Sequence, residues 1–276
     1  MVGMTSSLTD IDNILTENDR RNEVMYASFN PITGEGSIGE RVKVSISDFV
    51  MSVQWLPAEM MSIPFVIELV KAGSIDRFLS DVLHVEPNDT DHDKVSEKFI
   101  RLRYRHDFAF WAATLVWIHN KDAGSDVLFR LRYPQRILVS RFEEKRKAGL
   151  PIRLILLKAR QWGGSTTTQL YMAWLQFFHK RGLNSLIIAH QGTASDEIKD
   201  MFDTMIKEYP IELLYDMGAS YDKNAPKMVG VGKSGSTSRV PQRNCKIKIG
   251  TAERPDGCRG GAYSLVHLSE VGIWKK

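Results

Sequence analysis

The stretch from Ile152 to His190 constrains the chain most. IRLILLK (152–158) is a short apolar run closed by a lysine, and ARQWGG (159–164) is a loop ending in two glycines. Ser165-Thr166 opens a helical pattern that runs to about Lys180, Gly182 ends it, and LNSLIIAH (183–190) is a second apolar run. Short apolar runs of this kind read as strands buried on both faces. Strand, helix, strand in that order calls for a right-handed crossover and a parallel sheet. The pattern continues with a helix capped by Thr193 or Ser195 and reaching about Tyr209. Hairpin-like strands follow in KMVGVG (227–232) and CKIKIGTA (245–252), and a last apolar strand, YSLVHLS (263–269), leads into Glu270.

The part before this stretch reads differently. NPITGEGSIGE (30–40) is rich in turn formers, so residues 1–40 are expected to be weakly ordered, with one or two helical turns at Leu8–Thr16. Pro57 starts a helical segment, Pro64 interrupts it, and Phe65–Ala72 resumes it up to a Gly73 cap. HVEPNDTDHD (84–93) lacks the glycine and terminal glutamate of a calcium loop and reads as a solvated loop capping the next helix. Helical periodicity then runs from Val95 to His119, and a further helix fits Gln135–Lys147, closed by Gly149. The expected division is a weakly ordered 1–40, a mostly helical 41–125, and an α/β domain over 126–276.

Composition narrows the class. The chain has 276 residues, 43% hydrophobic and 25% charged, which excludes collagen-like and wholly disordered readings. Two cysteines, Cys245 and Cys258, are too few for a disulfide framework or a four-cysteine zinc site. The N-terminus has no basic, apolar leader pattern. The longest apolar run, Phe108–Ile118, covers eleven residues against the about 20 a membrane helix needs. A soluble protein with no membrane partner is expected. The net charge of +4 conceals 8 basic and 17 acidic residues among the first 100, against 29 basic and 16 acidic in the remainder. The second part is therefore suited to a polyanion.

The chemistry is expected at the loop. A strand–loop–helix junction turns backbone N–H groups and a helix N-terminus on one spot, which favours phosphate. Against the phosphate-loop pattern G-x-x-x-x-G-K-[ST], Gly163 takes the second glycine, Ser165 the magnesium-side hydroxyl and Gly164 the place of the lysine. Lys158 stands at the first-glycine place, so the lysine has moved to the strand end. Gln161 and Thr166 belong to the same loop and helix start. Arg160 can stabilise a transferring phosphoryl group. Tyr133-Pro134-Gln135 lies upstream, where the glutamine amide offers the donor and acceptor that an adenine edge requires. Ser269-Glu270 ends an apolar strand, where a carboxylate can orient water for attack on a γ-phosphate. Gly232-Lys233-Ser234 looks like the end of a phosphate loop but has no buried strand before it and reads as a hairpin tip. Lys233, Arg239 and Arg243 in that hairpin are candidate DNA contacts.

YPQ (133–135), KARQWGGST (158–166), IIAHQGTASDEIKDMF (187–202), RPDGCRGG (254–261) and SLVHLSEV (264–271) together resemble the ATPase domain of the large terminase subunit of tailed bacteriophages. The resemblance covers about residues 131–276. It implies a P-loop NTPase fold of the RecA-like kind, a parallel sheet preceded by a mostly helical region. It also implies ATP and Mg2+ as ligands, with Lys158 and Arg160 in a Walker A loop on the phosphates. Gln135 and Tyr133 stand at the adenine, Ser165 on the metal, and Glu270 as the catalytic glutamate of a Walker B strand. Ser269 stands where many ATPases carry a metal-shell aspartate. Implied partners are double-stranded DNA, a portal, a small terminase subunit and further copies in a ring, in the host cytoplasm. The family's coupling motif and nuclease domain have no counterpart before Lys276, so a fragment without nuclease activity is expected. A non-hydrolysing nucleotide- or DNA-binding module and a helicase-like ATPase outside phages are the alternatives.

Overall fold

Two separate apolar clusters organise the computed structural model, which describes residues 11–17, 19–20, 23, 28–120, 124–157, 162–232, 235–254, 257 and 261–274. The first cluster gathers residues 44–99. Strands β1 (Arg41–Ser45) and β2 (Val53–Pro57) pair antiparallel, and helix α1 (Pro64–Ala72) packs beside them. Pro64 fits the first turn of α1, where its missing N–H is no loss, and Gly73 ends it at φ +72°. Helix α2 (Asp89–His106) contributes Val95 and Phe99 to this cluster, and Asn88 caps it by accepting from Asp91 N at 3.0 Å.

The expected helix over 95–119 is two helices and a strand. Asp107 leaves helical geometry, and its carboxylate accepts from Phe110 N at 3.2 Å to start α3 (Phe108–Leu115). β3 (Trp117–Asn120) then pairs antiparallel with β4 (Ser125–Leu128). A side chain that competes for backbone N–H groups ends one helix and begins another, which apolar periodicity alone does not reveal.

The second cluster fills the rest with aromatic side chains. Helix α4 (Tyr133–Lys147), helix α5 (Gly164–Trp174) with its π-turn Leu175–His179, and helix α6 (Gly192–Glu208) enclose it. Phe108, Trp111, Phe142, Tyr171, Trp174 and Tyr209 meet there. Their polar ends are satisfied: Trp111 Nε1 donates to Tyr209 Oη at 3.0 Å, and Trp174 Nε1 to the Tyr104 carbonyl at 2.7 Å.

The sheet corrects the expected fold class. Strands β5 (Asn184–Ala189), β6 (Val229–Gly230), β7 (Thr237–Val240), β8 (Cys245–Thr251) and β9 (Leu265–Leu268) lie in the order β6-β7-β8-β5-β9. β5 pairs parallel with β8 and with β9, whereas β7 pairs antiparallel with both β6 and β8. The protein is therefore a mixed α/β fold, and the single parallel RecA-like sheet of a P-loop NTPase is not what it forms. Part of the reason is local. β7 and β8 are joined only by the turn Pro241–Arg243 and Asn244 at φ +49°, and a link this short joins antiparallel neighbours only. The rest concerns the run at 152–158. Residues 151–157 form no strand, and Ile155 is 100% and Leu157 99% exposed. Apolar character qualifies a segment for a sheet, but a strand also needs a ladder partner for its backbone. Among the described residues β9 keeps one unpaired edge, and 151–157 does not take it.

No helix among the described residues is long and apolar enough to cross a membrane.

Candidate functional site

The two halves of the expected site meet where α5 begins and β9 ends. Gly163 adopts φ +80°, which favours glycine, and a side chain there would push the Gln135 amide aside. No side chain caps α5. Its first turn is instead tightened from within: Thr167 Oγ1 donates to the Gly163 carbonyl and Thr168 Oγ1 to that of Gly164, each at 2.9 Å. The leading N–H groups thus remain available, at the positive end of the helix dipole.

β9 faces this helix with alternate residues. Gln169 Nε2 lies 3.4 Å from His267 Nδ1, and Ser165 Oγ lies 3.4 Å from Ser269 Oγ. A period of two places His267 and Ser269 on one side of the strand. Glu270 then leaves the strand in the left-handed region, at φ +57° and ψ +38°. A non-glycine residue held there costs on the order of 1–2 kcal/mol, and such strain gathers at sites where a side chain must be aimed. Its carboxylate Oε2 lies 2.7 Å from His190 Nδ1, a contact that is an ion pair when the imidazole is protonated.

Gln135 is used by the protein itself. Its Oε1 accepts from Arg132 N, the N-cap residue of α4, at 2.7 Å, and its Nε2 donates to the Trp162 carbonyl at 3.2 Å. The amide ties α4 to the loop ahead of α5, and an adenine edge has to compete with both partners. Tyr133 is turned elsewhere, into a cavity of about 930 Å³ that it shares with Phe29, Arg41, Asp107 and Arg136. Neither Gln135 nor any residue of 162–165 lines that cavity.

A polar chain anchors α5 from behind. Tyr171 Oη donates to Glu143 Oε1 at 2.6 Å, and Arg146 bonds both Glu143 and Glu59, the latter at 2.8 Å from Nη2 to Oε1. His106 Nδ1 adds a 2.8 Å contact to the same Glu59 oxygen. Burial alone would raise the Glu59 carboxyl, but the His106 hydrogen bond and the Arg146 charge outweigh it and hold it at about 2. Glu59 belongs to the first cluster's side of the molecule, so this chain joins that side to the helix of the candidate site.

The structure thus brings Ser165 and Ser269 to 3.4 Å, with Glu270 next along the chain, Gly163 and Gly164 at the helix entry and Thr166 in its first turn. Lys158, Arg160 and Gln161 lie outside the described residues, as does Lys233. Arg239 is exposed on β7 and donates to Asn244 Oδ1 at 2.8 Å. Arg243 is only 6% exposed and bonds the Gln176 carbonyl and Asp216, so its guanidinium is a structural tie and not a free hairpin-tip contact. The structure adds His190 beside Glu270, a contact not expected from sequence. The available signal was its place at the end of an apolar strand in Ala189-His190.

No protein-family model matches the chain, and comparison with curated proteins gives no match either.

Proposed function

We propose that this chain is the ATP-hydrolysing part of a viral DNA-packaging motor, of the kind to which the large terminase subunit of tailed phages belongs. The observation that carries the reading is the approach of Ser165 and Ser269 with Glu270 beside them. An uncapped helix N-terminus suits phosphate oxygens. Two hydroxyls 3.4 Å apart at that terminus fit Mg2+ only as additions to phosphate oxygens and waters, which is how this ion is commonly held. Bound there, Mg2+ would neutralise phosphate charge. Glu270, with one carboxylate oxygen engaged, is suited to accept a proton from an attacking water. Lys158 and Arg160 keep their proposed roles on the phosphates. The excess of basic residues beyond position 100 supports DNA as the polyanion moved, with Arg239 exposed for such contact. Portal, small subunit, ring assembly and host cytoplasm belong to the same proposal.

Glu270→Gln keeps the shape and removes the base. It should lower ATP hydrolysis about 100-fold or more while a fluorescent ATP analogue still binds within about 2-fold of the unchanged chain. Hydrolysis equal to that of the unchanged chain would exclude Glu270 as the base. Nucleotide binding without any turnover in the unchanged chain would favour the non-hydrolysing alternative.

A further inference from the structure

One close contact of the site has no part in that reading: His190 Nδ1 lies 2.7 Å from Glu270 Oε2. We propose that His190 is a positioning residue, which fixes the Glu270 carboxylate for its work on water. This rests on the reading of Glu270 as the base.

The sheet register makes the pair. β5 and β9 are parallel neighbours with Ile188 opposite Leu268, and Ser269 N donates to the Ile188 carbonyl at 2.9 Å. His190 and Glu270 each stand two residues beyond that pair, so they emerge side by side at the same end of the sheet. Glu270 then turns into the left-handed region, which takes its side chain out of the strand's alternation. Its carboxylate is 41% exposed, and a carboxylate so exposed is free to sample several rotamers unless something holds it. The His190 side chain is 24% exposed, and its Nδ1 lies 2.7 Å from Oε2, close enough to restrict the carboxylate. The contact is to Oε2 and leaves Oε1 for a water. Misplacing a reacting group by about 1 Å can cost about 100-fold in rate, so a bond that sets this position has a kinetic consequence.

Two measurements on the intact chain decide the matter. The first needs no turnover. Imidazole 1H–15N correlation spectra without nucleotide should show His190 Nδ1 as a hydrogen-bonded N–H, and Glu270→Gln should shift it. An identical His190 signature in both chains overturns the proposal. The second is kinetic. His190→Ala should lower kcat about 10- to 100-fold with KM for ATP within about 2-fold. His190→Asn, whose side-chain N–H can occupy the place of Nδ1, should recover most of the loss. Equal losses in the Ala and Asn variants would reduce His190 to a structural residue and overturn the proposal. Turnover lost in Glu270→Gln but kept in His190→Ala refutes the proposal alone, whereas turnover kept in Glu270→Gln brings down the underlying reading as well.

Discussion

At the scale of single residues, Asp107 shows how one side chain sets both a boundary and an interface. Its carboxylate ends α2, starts α3 and takes a two-pronged bond from Arg41, with Nη1 at 2.6 Å and Nη2 at 2.8 Å. Burial would raise its carboxyl, but the Arg41 charge and hydrogen bonds hold it low. Arg103 stands beside it, fully buried, with Nη1 bonded to Gln54 Oε1 at 2.7 Å and its guanidinium over the Phe110 ring. Burial brings even this guanidinium down to about 10, against the pull of Asp107. A carboxylate that balances two buried cations cannot be removed cheaply. Asp107→Ala strands Arg41 and Arg103 and removes the α3 cap. It should cost about 3–5 kcal/mol, measured by denaturant unfolding. A loss under about 1 kcal/mol would show that water replaces the carboxylate.

At the scale of elements, the sequence was most readable where one principle governs. Gly73 and Gly149 end their helices at positive φ, Asn88 caps α2, and the runs at 183–190 and 263–269 become β5 and β9. Two kinds of information were not local. The Asp107 carboxylate that makes the break is also held by Arg41, 66 residues away. Whether 152–158 pairs depends on which edge it can reach, and composition carries no such address. Of the site, Ser165, Ser269 and Glu270 were legible as types at strand and helix ends, whereas the His190 contact follows from sheet register. The exposed run permits a direct test. If Ile155 and Leu157 are solvated, the double change Ile155→Lys, Leu157→Lys leaves the unfolding midpoint within about 0.5 kcal/mol and reduces self-association in light scattering, because a bare apolar segment and an open edge favour association. A large loss of stability would mean that these side chains pack against the sheet after all.

At the scale of the whole molecule, the two apolar clusters are joined through charge, and charge makes their union sensitive to pH. The Tyr171–Glu143–Arg146–Glu59–His106 chain crosses from α5 to the first cluster, and Arg146 also lies over the Trp174 ring. His179 sits against the same Trp174, with ring centroids 4.4 Å apart. Burial first, then the Arg146 charge with Arg105 and His106, pushes the His179 imidazole down to about 3, only partly opposed by Glu59. The folded protein therefore keeps this ring neutral, while the unfolded chain takes up a proton near pH 6.5. Unfolding binds the extra proton between those two values, so stability is complete above about pH 6.5 and falls as pH drops towards 3. From pH 7 to 5 the His179 contribution should amount to about 1–2 kcal/mol, or a few degrees in Tm. Glu59 behaves separately. Its folded value of about 2 lies below its ordinary 4.5, so its contribution is kept at pH 5 and lost only as pH falls through that lower window. His179→Leu should consequently flatten the Tm profile between pH 7 and 5 while leaving the steep loss below pH 4.5. A profile that keeps its slope between pH 7 and 5 in the variant would assign the proton uptake to another group and remove His179 from the junction's response to acid.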